Sequence, residues 1–230
     1  VGIDAGDMGC RLLDAARYLL EPPFEAANRL ARGRIGTVGR HLLRESGAVV
    51  VATDRLAPSS TQAGAQATAL DVTDADAVNA LVDRIEADLG PIDIGVNVAG
   101  VLSTASVLEL TADEWRRTFA VNTDGVFHVS QALARVMAPR RRGAMVTVSS
   151  NAAGIPRQNM AAYAASKAAT TMFVRCLGLE LAPLGIRCNI VAPGSTRTPM
   201  QTGMWTDAGG EARTIAGTLE TFKSGIPLGK

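Results

Sequence analysis

From residue 48 onward the chain alternates short β-branched runs with longer helical patterns, and this alternation constrains its fold more than any other feature. "AVVVAT" (48–53) ends at Asp54 and "ATAL" (67–70) ends at Asp71. "DADAVNALVDRIEADLG" (74–90) places Val78, Leu81, Val82 and Ile85 at the spacing of one helix face. "PIDIGVNVAG" (91–100) reads as a strand running into a turn, and "TADEWRRTFAVNTDGVFHVSQALARVM" (111–137) as a long helix opened by a capping box, Thr111 with Glu114. A strand in "GAMVTVSS" (143–150), a helix in "AAYAASKAATTMFVRCLGLELA" (161–182) and a strand in "IRCNIVAPG" (186–194) follow. Repeated strand–helix units predict an α/β fold, a doubly wound parallel sheet with helices on both faces. Ligands in such folds bind beyond the carboxyl ends of the strands, and Asp54, Asp71, Asn97, Ser150 and Pro193 all fall at such ends.

Composition narrows the function. The 230 residues are enough for one sizeable domain or two small ones, and a hydrophobic share of 47% rules out disordered and fibrous classes. A net charge of +1 argues against a nucleic-acid or membrane-surface partner, and the "RRR" at 140–142 reads as a solvated loop. Cys10, Cys176 and Cys188 lack paired or metal-like spacing, which predicts a reduced, cytoplasmic setting. With His41 and His128 as the only histidines, neither a metal site nor a histidine triad is expected, and each is read as an ordinary helix residue. Charges throughout the first twenty residues are incompatible with a signal-peptide core, and no apolar run is long enough to span a bilayer.

Tyr163 and Lys167 lie four apart on a predicted helix and therefore share a face. The chain has two tyrosines, and its only lysines are Lys167, Lys223 and Lys230, so this pairing is unusual for the composition. A Y-x-x-x-K spacing alone also fits a surface pair. Ser150, at a strand end thirteen residues earlier, and Asn122 on the preceding helix add two polar groups that favour a site.

"SS" ending a strand, then "YAASKAA" and "NIVAPG", with "NVAG" and "FAVNT" upstream, resemble the short-chain dehydrogenase/reductase family over about residues 35 to 230. The resemblance implies a Rossmann-like sheet and the catalytic set Asn122, Ser150, Tyr163 and Lys167. In that scheme Tyr163 takes the hydroxyl proton while hydride leaves the same carbon for NAD. Ser150 holds the substrate oxygen, Lys167 also binds the nicotinamide ribose, and Asn122 supports a water relay to Lys167. A free tyrosine, with a pKa of about 10, is a poor base near neutrality, and lowering it by about three units requires roughly 4 kcal/mol. A neighbouring ammonium and a positive nicotinamide ring both favour the phenolate.

The resemblance also implies the cofactor contacts. Asp54 would accept hydrogen bonds from the adenosine ribose hydroxyls and repel a 2′-phosphate, which favours NAD over NADP, although Arg55 stands beside it. Asp71, with Val72, corresponds to the adenine contact, and Asn97, Ala99 and Gly100 of "NVAG" to the turn beside the adenosine ribose; the family usually has a second asparagine where Val98 stands. Pro193, Gly194 and Thr198 of "PGSTRTPM" match the residues that hold the carboxamide. The phosphate loop is the weak part. In the register that preserves helix length, Ile35 and Gly36 end the glycine motif, Leu30 replaces its first glycine and Arg34 its middle one, where backbone and pyrophosphate must approach closely. Arg34 is either a phosphate ligand or damage to the site.

Residues 1–34 fit the alternation poorly. They are expected to be an atypical N-terminal segment, foreign to a dehydrogenase domain of residues 35–230, and sequencing the gene across the junction tests whether a shifted reading frame or a mis-assigned start produced it. The family's first strand is then atypical and its last strand missing, since members continue past "GIPLGK".

"FAVNTDGVF", "GLELAPLGIRCNIVAPGSTRTPMQTGMW" and "FKSGIPLGK" further resemble the members that oxidise a cyclic dihydrodiol carboxylate to a catechol in siderophore synthesis. The expected activity is that NAD-dependent oxidation by a homo-oligomer, a tetramer by resemblance. Arg157 is a candidate partner for the substrate carboxylate or a loop arginine in water, and Met200 and Trp205 are substrate-lid or core residues. The alternatives are another alcohol or 3-oxoacyl dehydrogenase/reductase, and a catalytically silent relative that keeps only the association surface.

Overall fold

The computed structural model describes residues 47–56, 65–227 and 229. Leu30, Arg34, Ile35, Gly36 and His41 lie outside the described residues, as does the whole of segment 1–34. The chain divides into two compact units, one spanning Val51–Val191 and the other formed, among the described residues, by 47–50 and those from Ala192 on.

Strand β1 (Val50–Asp54), which lies in the larger unit from Val51 on, and strand β2 (Ala65–Ala69) pair in a two-stranded sheet. Leu70 N–H donates to the Asp54 carbonyl at 2.9 Å and so joins their ends. Helix α1 (Ala75–Asp88) follows, capped by the Asp74 carboxylate, which accepts from Ala77 N–H at 2.9 Å. Strands β3 (Ile94–Asn97), β4 (Gly143–Val148) and β5 (Ile186–Val191) form a parallel sheet in that order, with Gly95 opposite Met145 and Met145 opposite Cys188. All six residues of β4 are buried, which requires a covering layer on each face of the central strand.

The helical pattern over 111–137 is interrupted. Helix α2 (Ala112–Phe119) begins with the expected capping box, in which Glu114 N–H donates to Thr111 Oγ1 at 3.2 Å and the Glu114 carboxylate accepts from Thr111 N–H at 3.2 Å. A turn of π-helix, Ala120–Asp124, separates it from helix α3 (Gly125–Met137). The long helix α4 (Ala161–Leu181) packs against β5. One face of the sheet is filled by Val78 and Val82 of α1, Ala132, Leu133 and Met137 of α3, Met145, Leu181 and Ile186. Met137 is completely buried in this cluster.

In the smaller unit, helix α5 (Pro199–Thr202) is capped by Thr198, whose hydroxyl accepts from Gln201 N–H at 3.3 Å. Helix α6 (Gly210–Ala216) runs into a short antiparallel pair, β6 (Gly217–Thr218) and β7 (Lys223–Ser224). The Trp205 indole donates to Thr214 Oγ1 at 3.2 Å, which ties the stretch after α5 to α6.

Candidate active site

The carboxyl ends of β1, β2, β3 and β4 carry Asp54, Asp71, Asn97 and Ser150 as the strand assignments predict, and α4 brings Tyr163 and Lys167 into the same unit. Ser150 caps a short 3-10 turn (Asn151–Ala153) by accepting from Ala152 N–H at 3.2 Å. The same side chain stands beside the Tyr163 phenol and favours its ionised form. Tyr163 stands in the first turn of α4, and Lys167, one turn further on, is 3% exposed with its Nζ donating to the Val148 carbonyl at 2.9 Å. That bond fixes the ammonium at the end of β4, 6.0 Å from the centre of the Tyr163 ring.

Asn122 sits fully buried in the π-turn. Its Oδ1 accepts from Val101 N–H at 2.8 Å, and its Nδ2 donates to the Val101 carbonyl at 2.9 Å and to Ser166 Oγ at 3.0 Å. Ser166 in turn donates to the Tyr163 carbonyl at 2.8 Å, so a continuous hydrogen-bonded path runs from the loop after β3 to the backbone of Tyr163. Thr170 Oγ1 donates to the Asn122 carbonyl at 2.6 Å and pins the turn to α4. Sequence reasoning missed Ser166 and Thr170. Their signal is the i+3 and i+7 spacing from Tyr163 on one helix face, which a period alone cannot separate from core packing.

Burial works against both ionisable groups. It pushes the Tyr163 phenol above its ordinary pKa, against the opposing pull of the Ser150 hydroxyl. It also brings the Lys167 ammonium down from 10.5 to about 8. The chain's own groups therefore do not by themselves lower the Tyr163 pKa. Taking a phenolate or an ammonium out of water costs more here than Ser150 and the Val148 carbonyl return.

The remaining sequence-predicted residues divide by what they touch. Asp71 accepts from Thr73 N–H at 2.9 Å and Thr73 Oγ1 at 2.8 Å, and these bonds hold its carboxyl below the usual carboxylate range. Asn97 turns inward instead, its Nδ2 donating to Ser130 Oγ at 3.0 Å and Thr147 Oγ1 at 3.2 Å, which joins β3 to α3 and β4. Gly100 faces the tetrad: a Cβ built there would lie 3.3 Å from Asn122 Oδ1 and 3.5 Å from Lys167 Nζ. Ala99 precedes it in the same turn. Arg157 is half-buried in the loop ahead of α4. In the smaller unit, Pro193 and Gly194 follow β5, the Thr198 hydroxyl caps α5, and Met200 is exposed on that helix. The partly buried Trp205, bonded to Thr214, has the packing role. Among the described residues no group of three or more His, Cys, Asp or Glu is placed to hold a metal ion.

A nicotinamide dinucleotide suits this donor set. Carboxylates at two adjacent strand ends match ribose hydroxyls and an adenine amine, and Gly100 lets its backbone lie closer to Asn122 and Lys167 than a side chain would allow. The phosphate-binding stretch around Arg34 lies outside the described residues.

A strand–helix sheet with a Ser–Tyr–Lys group at its carboxyl edge defines a dehydrogenase of the tyrosine-dependent kind. The short chain dehydrogenase family model matches residues 32–209, and the chain belongs to this family. It is 55% identical over 166 residues to the 2,3-dihydro-2,3-dihydroxybenzoate dehydrogenase of Bacillus subtilis (strain 168), covering 72% of this chain and 64% of that protein. It is 45% identical over 161 residues to the Escherichia coli (strain K12) protein of the same name, covering 70% and 65%. The chain thus spans a little under two thirds of the length of these relatives. Among solved structures, a gluconate 5-dehydrogenase from Burkholderia cenocepacia J2315, in complex with NADP and tartrate, matches with TM-score 0.73 and 34% identity over 81% of this chain and 78% of that one. No helix among the described residues is long and apolar enough to cross a membrane.

Proposed function

We propose that the chain is an NAD-dependent dehydrogenase that oxidises 2,3-dihydro-2,3-dihydroxybenzoate, or a close cyclic dihydrodiol carboxylate, to the corresponding catechol in siderophore biosynthesis. The placing of Ser150 beside the Tyr163 phenol, one helical turn from a buried Lys167, carries the dehydrogenase reading. The relatives at 55% and 45% identity support the substrate. Tyr163 accepts the proton of the substrate hydroxyl as the C–H bond of that carbon breaks. Ser150 holds the same oxygen in line, and Lys167 places a positive charge behind the phenol and binds the nicotinamide ribose. When bound, the oxidised nicotinamide supplies the hydride acceptor and a further positive charge beside the phenol. Asn122, fixed by Val101, supports proton passage to Lys167. Tautomerisation of the resulting ketone moves the proton of the neighbouring ring carbon to the ketone oxygen, which makes the product aromatic and drives the reaction forward.

Asp54, at the end of β1, supports NAD over NADP because a carboxylate there repels a 2′-phosphate. Asp71, Val72, Asn97 through its backbone, Ala99, Gly100, Pro193, Gly194, Thr198 and, in the glycine motif, Ile35 and Gly36 complete the cofactor contacts, with residues 35–230 as the dehydrogenase domain. Arg157 and Met200 face the substrate, Arg157 pairing with its carboxylate. The protein is cytoplasmic and assembles with copies of itself, a role for which the exposed Trp115, Phe127 and Met172 on α2, α3 and α4 are suited.

The test is calorimetric titration with NAD and NADP, followed by an assay of NADH formation from the dihydrodiol alongside a panel of alcohols and 3-oxoacyl thioesters. NAD preference and dihydrodiol turnover that falls about a hundredfold or more in Tyr163→Phe are expected. Binding of neither cofactor by folded protein would overturn the reading.

A further inference from the structure

The turn after β2 is gripped from α3 by two residues that the catalytic scheme does not use. His128 Nδ1 lies 3.0 Å from the Val72 carbonyl oxygen, so Nδ1 carries the proton and donates. One turn earlier on the same helix, Gly125 faces the Val72 side chain so closely that an added Cβ would lie 3.1 Å from Val72 Cβ and nearer still to the methyl Cγ2 group. Gly125 stands immediately after the π-turn, in which its N–H donates to the Ala120 carbonyl, five residues back. The extra residue of the π-turn rotates α3 relative to α2, and the rotated face presents Gly125 and His128 to Val72.

Val72 is the neighbour of Asp71, whose carboxylate is set by Thr73 and whose carbonyl accepts from Asp74 N–H at 3.1 Å at the start of α1. Val72 is therefore held from α3 through its carbonyl and side chain, while the residues on either side of it are held by the cap of α1. The Asp71 carboxylate, an acceptor, and the adjacent backbone N–H, a donor, form the pattern that reads the amine and ring nitrogen of an adenine edge.

We infer that His128 is a positioning residue for cofactor recognition: it fixes the Asp71–Val72 turn so that the adenine half of the dinucleotide is selected, without touching either the cofactor or the reacting atoms. The inference rests on the proposed dinucleotide-binding role of this unit. His128 is the anchor on the carbonyl, and Gly125 is the clearance that lets the turn approach the helix. The imidazole holds this bond through Nδ1–H alone.

The experiment is calorimetry of wild type, His128→Ala and His128→Asn with NAD, AMP and nicotinamide mononucleotide, with thermal unfolding as the check on folding. Loss of one hydrogen bond predicts binding of NAD and AMP weakened about fivefold in His128→Ala, with nicotinamide mononucleotide unchanged. His128→Asn, which keeps an N–H donor, recovers part of that loss. In turnover, KM for NAD rises while kcat at saturating NAD stays within about twofold. Equal weakening of AMP and nicotinamide mononucleotide, or no weakening of either, overturns the inference, because a general structural role would not discriminate the two halves. Failure of wild type to bind NAD at all instead overturns the dinucleotide reading. If His128→Ala does not fold, Gly125→Ala takes its place: the added methyl displaces Val72 within a helix that tolerates alanine, and the same selective loss of AMP and NAD is expected, its absence overturning the inference.

Discussion

Replacing Lys167 by methionine should stabilise the protein while abolishing its activity. Folding takes the ammonium to 3% exposure and lowers its pKa from 10.5 to about 8. At about 1.4 kcal/mol per pH unit, this corresponds to roughly 3 kcal/mol lost to folding wherever the lysine is charged in both states. Methionine keeps the apolar stem and fills similar volume, but it gives up the hydrogen bond to the Val148 carbonyl, which costs about 1 kcal/mol. The net expectation is a gain of about 2 kcal/mol near neutral pH. The sign follows from proton counting. Between about 8 and 10.5 the unfolded chain holds a proton that the folded chain has released, so wild-type stability rises with pH through this window. The advantage of Lys167→Met should therefore shrink across it. Above 10.5, with the lysine neutral in both states, only the lost hydrogen bond remains and the variant becomes the less stable protein. Urea unfolding of both proteins at several pH values measures the difference directly. A variant less stable than wild type at about neutral pH, or a difference independent of pH, would refute the reasoning.

Ser150→Ala removes the hydroxyl that favours the Tyr163 phenolate, so the rising limb of kcat against pH should move to higher pH and activity near neutrality should fall about tenfold or more. A pH–rate profile that keeps its midpoint would contradict this. Gly100→Ala brings a methyl to within 3.3 Å of Asn122 Oδ1 and 3.5 Å of Lys167 Nζ, crowding two groups proposed to serve the cofactor. NAD binding should weaken about tenfold, read by calorimetry, with little change in the unfolding midpoint. Met137→Ala empties a fully buried site between α3 and the sheet and should cost about 2–5 kcal/mol, measured by chemical denaturation. A cost below about 1 kcal/mol would mean that the cluster collapses around the cavity.

The local parts of the site were legible in the sequence because their causes are local. Tyr163 and Lys167 share a face by helix geometry alone, Thr111 and Glu114 satisfy each other within one turn, and Ser150 follows from where a β-branched run stops. The π-turn at Asn122 left no trace, since apolar residues on both sides of it keep a near-helical period while the backbone adds one residue to the ring. Asn97 shows the same limit. An asparagine at a strand end reads as a ligand group, yet its Nδ2 is directed at Ser130 and Thr147, residues 33 and 50 positions away. His128 was read as an ordinary helix residue because its partner is a backbone carbonyl 56 positions earlier, and a carbonyl has no sequence signature.

The direction of the pKa changes was not legible either, and it bears on how the site works. The i, i+4 spacing predicts a lysine that lowers the tyrosine pKa through its charge, but burial of the pair penalises both charged forms at once. With Lys167 near 8, its charge at neutral pH is retained, yet it is spent in part on the Val148 carbonyl rather than on the phenol oxygen. In the proposed reaction Tyr163 would become a base only with a second positive charge beside it, and only the oxidised form of the cofactor carries one. A site built in this way would ionise its tyrosine when it holds the oxidant and leave it protonated otherwise, so base strength and hydride acceptance would arrive together.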